Sequence, residues 1–433
     1  MTGLLGGGHA LYFDAASGTA RNLDCFVSVP SGDGAPMESL EVPFGEELVH
    51  YAIGASSCAV PGLPAGLAAL WRAHGRLPWA LLVEPALRLA RTGVAMPAAH
   101  AACLAMLAPV MTMREGAALY APSGRLIAEG ELLVQPGLVS ALELVRDEGA
   151  ASVYSGTIAR TLLDLVRERS GVITRADLER YAPVWGEPAM VEFAGRRVLS
   201  RRGLSGVPET LARFDPAGGP SALLDALEAV PVMDGHTTNL TVVDAHGNAC
   251  VLTTSLGLGS GDWLPGLDLH LNSMLGESDL IRRPLRPGER MESMMAPTLA
   301  FGGRQLELAL GAAGGTRLRT ALVGVLGAVL HEGVEPQAAI DRPRFHPAGA
   351  VINAEPGVDE DWLSALEQQG RAVRRWTGRH HYFGGVSALG RSGSGADPRR
   401  SGAVRPGSSP RSTPGTRTSD TLDSRSPFPH RPA

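Results

Sequence analysis

Alternation of apolar and polar residues marks one stretch of the chain as a β-hairpin. Apolar or β-branched side chains recur at every second position in two runs, one around Leu240 and Val242 and the other in residues 249–256. The residues between the runs, 244–248, read Asp-Ala-His-Gly-Asn, which is typical of a turn. The pattern therefore predicts a hairpin whose first strand begins at a threonine.

Other segments carry patterns that predict the elements around this hairpin. The Gly-rich start of the chain leads into an alternating run at residues 10–14, which predicts a strand and not the helix that follows a phosphate-binding loop. Thr174 is a candidate helix N-cap, and the glycines of residues 257–261 predict a flexible loop. One or two helices are expected in 136–170. Apolar residues at helical spacing predict helices in three segments: 62–90, 136–170 and 318–330.

Composition permits a large core and excludes several classes of function. The 433 residues are 44% hydrophobic, enough for one large α/β domain or two smaller ones. A net charge of −5 gives no reason to expect a nucleic-acid partner, and the absence of lysine excludes a Lys nucleophile. No apolar run is long enough to span a membrane, and the first residues lack the basic region of a secretory signal. We therefore expect a cytoplasmic location for the chain as given.

Cysteine, histidine and serine patterns give no rival site. The four cysteines are far apart without a C-x-x-C pair, and no H-E-x-x-H motif is present, so neither a metal nor a cofactor is expected. The segment 203–206, Gly-Leu-Ser-Gly, misses the G-x-S-x-G motif of serine hydrolases by one position. Residues 404–433 are rich in Ser, Pro, Thr and Arg, which predicts a disordered tail.

Residues 235–249 read Gly-His-Thr-Thr-Asn-Leu-Thr-Val-Val-Asp-Ala-His-Gly-Asn-Ala. This stretch resembles the Thr-Thr-His-x-Ser-Val-Val-Asp-x-x-Gly-Asn-Ala signature of the γ-glutamyltransferases, which are N-terminal-nucleophile hydrolases. Segments 293–298, 311–317 and 341–346 resemble further motifs of that family in the same order, and the resemblance extends from residue 3 to 403. It implies an α+β fold, the αββα four-layer sandwich. A large-subunit-like part, 1–236, and a small-subunit-like part, 237–403, would form this one fold together.

The resemblance also implies a reaction mechanism. The family precursor cuts itself before the first Thr of the signature, which here is the bond between His236 and Thr237. A Thr freed at a chain terminus carries its own base, the α-amine, whose pKa is about 8. Ser255 takes the place of a family Thr that hydrogen-bonds the nucleophile. Gly314 and Gly315 fall on the pair whose N–H groups form the oxyanion hole, a contribution of about 3 kcal/mol per donor.

The positions that the resemblance assigns to substrate binding depart from the family pattern. Ser293 is kept and Glu277 stands for an Asp that holds the substrate α-amino group, whereas Met294 replaces a second Ser and Gly257 an Asn. Phe26 stands where the family has the Arg that holds the substrate α-carboxylate. A phenyl ring cannot replace a bidentate guanidinium, so we expect altered acyl specificity. Met274, in place of a Gln or Glu, is a further departure.

Two hypotheses follow from this reading. The first is a self-cleaving enzyme that hydrolyses or transfers an acyl group from a small-molecule amide to water or an amine, its two fragments staying associated. The acyl group would be γ-glutamyl, as in glutathione, or a less polar one, as in the cephalosporin acylases of the superfamily. The second is a catalytically silent or truncated relative, acting as a binding protein or without function. The intact Thr237 and Gly314-Gly315 favour the first, whereas the lack of the family's N-terminal helical segment favours the second. Family members are often periplasmic or secreted.

Overall fold

Strands and helices follow one another in groups along the chain. The structure is a computed structural model that describes residues 1–44, 47–230, 238–315, 317–391 and 393–396. The strands, in chain order, are β1 Gly7–Asp14, β2 Thr19–Cys25, β3 Glu38–Phe44, β4 Glu47–Ile53, β5 Val94–Ala95, β6 Leu132–Leu133, β7 Val184–Gly186, β8 Ala189–Phe193, β9 Arg196–Ser200, β10 Thr238–Val243, β11 Ala249–Ser255, β12 Trp263–Leu264, β13 Leu269–His270, β14 Thr298–Gly302, β15 Gln305–Ala313, β16 Phe345–Ala348, β17 Val351–Ala354, β18 Ala372–Arg375, β19 Gly385–Gly390 and β20 Gly393–Ala396. The α-helices are α1 Leu63–His74, α2 Trp79–Thr92, α3 Ala98–Met111, α4 Gly116–Tyr120, α5 Pro136–Glu148, α6 Ala151–Tyr154, α7 Thr157–Glu168, α8 Arg175–Arg180, α9 Val207–Leu211, α10 Gly219–Glu228, α11 Arg317–Leu330, α12 Pro336–Asp341 and α13 Glu360–Gln368.

Two antiparallel sheets form the centre of the fold. The five-stranded sheet has the order β10-β11-β1-β2-β7 and the six-stranded sheet the order β20-β19-β15-β14-β9-β8. Each sheet contains strands from before residue 231 and strands from after residue 237. Neither half of the chain could therefore complete either sheet alone.

The two sheets pack face to face through a small apolar core. Leu11 and Phe13 of β1 and Val251 of β11 meet Leu299 and Phe301 of β14. The rings of Phe13 and Phe301 lie 4.8 Å apart, edge to face. Since strand residues alternate between faces, the same strands turn their other side chains toward the outer layers.

Helices cover the outer faces of both sheets. On the five-stranded sheet, α1 packs so closely that a Cβ at Gly66 would collide with the side chain of Cys25 on β2. On the six-stranded sheet, α11 is buried almost throughout, in one core with α9, α10, α12 and α13. This is the helix–sheet–sheet–helix order of the predicted αββα sandwich.

Most predicted elements are confirmed, with two differences. The hairpin is formed by β10 and β11, with Thr238 paired to Thr254, and Thr174 caps α8. Residues 136–170 contain three helices, because turns at Gly149 and Gly156 interrupt the pattern. Residues 257–261 form a loop between β11 and β12, as predicted, but this loop is buried.

Several sequence predictions concern sites and segments beyond the sheets. Among the residues with described positions, no helix has the length and hydropathy to cross a bilayer. Within the same residues, no group of three or more His, Cys, Asp or Glu side chains is placed to bind a metal ion. The four cysteines are free thiols. The predicted tail, 404–433, lies outside the described residues.

Candidate active site

The strand ends that carry predicted site residues lie together at one end of the sandwich. Asn239, near the start of β10, lies against Gly311, near the end of β15. Its Nδ2 donates to Ser387 Oγ, near the start of β19, over 2.7 Å. The end of β11 and the end of β15 therefore lie at the same end of the fold. His236 and Thr237 are outside the described residues, and β10 begins at the next residue, Thr238.

Ser255 ends β11 and holds the turn that follows. The side chain is buried, and its Oγ accepts the N–H of Gly257 over 2.9 Å. Ser273 Oγ accepts the N–H groups of Leu258 and Gly259, each over 3.1 Å. These hydroxyls satisfy backbone donors that no strand partner reaches, which explains why a Gly-rich segment is buried here.

Gly257 lets a carboxyl group approach the backbone. Its φ of 68° is in the left-handed region. A Cβ at this position would lie 2.6 Å from Glu277 Oε1 and 2.7 Å from Ser273 Oγ. Glu277 therefore occupies the space that a side chain at Gly257 would take, the position where the resemblance predicts an Asn in the family. The structure thus brings together three predicted residues: Ser255, Gly257 and Glu277.

Glu277 is a buried acid beside the turn at Gly257. The residue is 5% exposed, and its Oε1 has no hydrogen-bond partner within the described part of the chain. Burial raises the pKa of Glu277 to about 8, a shift that the nearby Met1 α-ammonium opposes. The carboxyl group is therefore mostly protonated at pH 7. A cationic ligand would favour the ionised form further.

Gly314 and Gly315 join β15 to α11 in conformations that favour glycine. Their φ angles are 138° and 64°, and a Cβ at Gly314 would lie 2.6 Å from the Cα of Gly384. Their carbonyl groups accept the N–H groups of Arg317 and Leu318 and so begin the helix. Their own N–H groups have no acceptor among the residues that the structure describes. Two unused donors at a helix N-terminus suit a developing oxyanion.

The remaining predicted residues lie around a methionine-rich core. Phe26, Met274 and Met294 pack in one buried apolar cluster, each less than 5% exposed. Ser293 is 1% exposed, and its Oγ accepts the N–H of Met295 over 3.2 Å. Phe26, which the resemblance matches to a carboxylate-binding Arg, is therefore a core residue in this chain.

Two polar residues at this end of the fold were missed from sequence. Asn239 links the two sheets, because its Oδ1 accepts from Thr253 Oγ1 over 2.8 Å while its Nδ2 binds Ser387. Arg201, directly after β9, donates from Nη1 to the Ser293 carbonyl oxygen over 2.7 Å. The Arg201-Arg202 pair is visible in the sequence, but nothing there indicates that one of the two points inward.

Comparison with known proteins identifies the family to which this chain belongs. The sequence profile described as gamma-glutamyltranspeptidase matches residues 1–211 and 219–407. The chain belongs to the γ-glutamyltranspeptidase family. This family is one of enzymes, whose characterised members include the glutathione hydrolases and acylases described next.

Two curated relatives and one solved structure are similar over most of the chain. Glutathione hydrolase proenzyme 1 of Schizosaccharomyces pombe is 25% identical, over 85% of this chain and 71% of its own. Acylase ACY 1 proenzyme of Pseudomonas sp. strain V22 is 26% identical, over 90% of this chain and 82% of its own. A cephalosporin acylase from Bacillus halodurans aligns with a TM-score of 0.73 at 21% identity, over 92% of this chain and 86% of its own. The last likeness confirms the fold of this γ-glutamyltranspeptidase family member.

Proposed function

We propose that this chain is a self-processing N-terminal threonine hydrolase or acyltransferase that acts on acyl amides. The observation that carries the proposal is the convergence of Ser255, Gly314 and Gly315 on the end of the sandwich where the strand following Thr237 begins. Ser255 is one residue beyond the Thr238–Thr254 pair on its strand. A hydroxyl at this point is suited to hydrogen-bond Thr237 Oγ.

Maturation would proceed by intramolecular attack. Thr237 Oγ adds to the carbonyl carbon of His236, its proton passes to the departing Thr237 nitrogen, and the C–N bond breaks. Water then opens the resulting ester. The products are a carboxylate at His236 and a free α-amine at Thr237. Because both sheets contain strands from both fragments, the fragments would stay associated.

Turnover would use the same hydroxyl. Thr237 Oγ attacks the amide carbonyl of the substrate while the α-amine takes its proton, and the N–H groups of Gly314 and Gly315 stabilise the oxyanion. Collapse expels the amine product, which takes the proton, and leaves an acyl ester on Thr237. Water or a second amine then accepts the acyl group.

The acyl group is inferred from the named relatives and from two features of the site. Relatives at similar identity are named glutathione hydrolases and acylases. Glu277 is placed to meet an ammonium group, as in a γ-glutamyl donor, whereas the apolar cluster around Phe26 offers a carboxylate nothing. We therefore propose γ-glutamyl or a related acyl group as the donor.

Release of p-nitroaniline from γ-glutamyl and glutaryl p-nitroanilides tests this proposal. Wild-type protein should release p-nitroaniline from at least one of them, and Thr237→Ala from neither. Adding a dipeptide acceptor separates transfer from hydrolysis. A folded wild-type protein that hydrolyses no acyl amide would support the alternative, a catalytically silent relative that acts as a binding protein or has no function.

A further inference from the structure

The side chain of Asn239 is held by hydrogen bonds on three sides. Its Nδ2 donates to Ser387 Oγ over 2.7 Å and to Thr241 Oγ1 over 3.0 Å, and its Oδ1 accepts from Thr253 Oγ1 over 2.8 Å. Both N–H bonds of the amide are therefore used, and its oxygen has a donor. These contacts give the amide one defined position between β10, β11 and β19.

Gly311 on β15 leaves the space that this amide fills. A Cβ at Gly311 would collide with the carboxamide group of Asn239. The φ of Gly311 is not in the left-handed region, so the backbone conformation alone does not call for glycine here. The Asn239 side chain on β10 and the bare backbone of β15 therefore fit each other as a pair.

Both strands that Asn239 touches in the six-stranded sheet lead to the turn that carries the proposed oxyanion donors. β15 carries Gly311 and ends directly before Gly314. β19 carries Ser387, which pairs with Gly311, and it begins directly after Gly384. Gly384 packs against the turn itself, because a Cβ at Gly314 would lie 2.6 Å from its Cα. Asn239 therefore touches both strands close to the point where they hold the turn.

On its own strand, Asn239 follows the proposed nucleophile by two residues. Side chains two residues apart on a strand point to the same face. Asn239 and Thr241 both face the six-stranded sheet, where they meet Ser387. The same alternation, extended by one residue beyond the start of β10, predicts that the Thr237 hydroxyl faces that sheet as well.

We propose that Asn239 is a positioning residue that sets the distance between Thr237 Oγ and the N–H groups of Gly314 and Gly315. This inference rests on the proposed function. The two sheets meet elsewhere through apolar contacts, such as that of Phe13 with Phe301. A polar network adds less stability than apolar packing of the same size, but it fixes one geometry. Such precision matters here, because a displacement of about 1 Å between reacting groups can cost about 100-fold in rate.

The first test follows turnover of the p-nitroanilide that wild type cleaves. Asn239→Ala should lower kcat about 10- to 100-fold and change KM less than about threefold, because the residues that bind the substrate remain. Rates are divided by the amount of cut chain on denaturing gels, so that slow maturation is not counted as slow turnover. Asn248→Ala is the matched control: Asn248 donates to Asp244 at the far end of the same hairpin, and its loss should leave kcat within about twofold. Ser387→Ala, a smaller change, should lower kcat about 3- to 10-fold and decides the matter if Asn239→Ala does not fold.

A second replacement separates positioning from packing. Gly311→Ala in the Asn239→Ala protein places a methyl group in the space that the amide leaves. Urea unfolding in a Thr237→Ala background should show the double variant to be more stable than Gly311→Ala alone, in which the new Cβ meets Asn239. The kcat of the double variant, with Thr237 present, should stay at least about tenfold below wild type, because the hydrogen bonds of Asn239 are still missing.

The outcomes distinguish this inference from the proposed function. Recovery of wild-type kcat in the double variant would overturn the inference, since filling space would then be the whole role of Asn239. A folded and cut Asn239→Ala protein with wild-type kcat would overturn it too, and both results leave the acyl-amide function standing. A folded wild type that neither cuts itself nor hydrolyses an anilide would contradict the proposed function, and the inference with it.

Discussion

Replacing Glu277 by Gln should change how stability depends on pH. The ordinary pKa of this carboxyl group is 4.5, and burial raises it to about 8 in the folded protein. The folded state therefore binds the proton more tightly than the unfolded state. The stabilising effect of this tighter proton binding is complete below pH 4.5. It falls by about 1.4 kcal/mol per pH unit as pH rises and is lost above pH 8. The total is roughly 5 kcal/mol, because the loss continues from pH 4.5 to about pH 8.

Gln has nearly the same shape but no proton to lose. The free energy of unfolding of Glu277→Gln, relative to its parent, should therefore rise by several kcal/mol between pH 5 and pH 9. Urea unfolding at a series of pH values measures this, in a Thr237→Ala background so that one uncut chain unfolds. Glu187→Gln, at an exposed position, is the control and should follow the parent. A Glu277→Gln difference that stays constant with pH would refute the reasoning.

Three further predictions concern catalysis. Gly314→Ala should lower kcat at least about 100-fold in steady-state assays, because the new Cβ would collide with Gly384 and displace an oxyanion donor. Gly324→Ala is the control, because a Cβ at this helix position would meet free space. Ser255→Ala should slow self-cleavage about tenfold on denaturing gels, and Ser255→Thr should restore the rate. If Ser255→Ala were cleaved as fast as wild type, Ser255 would have no part in the mechanism. If Glu277 holds an ammonium group, kcat/KM for a γ-glutamyl anilide should rise toward pH 8 more than that for a glutaryl anilide, and Glu277→Gln should abolish the difference.

Local patterns predicted the elements of the fold well. The hairpin of β10 and β11 has alternation and turn chemistry that depend only on neighbouring residues. The stacking of two sheets is different, because contacts such as Phe13 with Phe301 join residues far apart in sequence. The resemblance to a family supplied that architecture. Residues 257–261 show the opposite limit: their glycines are typical of a flexible loop, but the single hydroxyl group of Ser273 holds this loop in the core.

The sequence predicted which residues belong to the candidate site better than it predicted their surroundings. The sequence indicated that Phe26 and Met294 cannot bind a carboxylate, and the structure shows why, since both lie in an apolar cluster. It did not indicate Arg201. A charged pair after a strand is usually solvated, and only the tertiary contact with Ser293 distinguishes Arg201 from Arg202. The raised pKa of Glu277 likewise depends on burial, which no local pattern encodes.

Self-cleavage at Thr237 is the central claim, and intact mass measurement tests it most directly. Purified wild type, aged at neutral pH, should give two fragments, 1–236 and 237–433. Thr237→Ala should remain one chain, and Thr238→Ala, the adjacent threonine at the start of β10, should still be cut. A folded wild-type protein that remains one chain, or a Thr237→Ala protein that is cut at the same bond, would contradict the account.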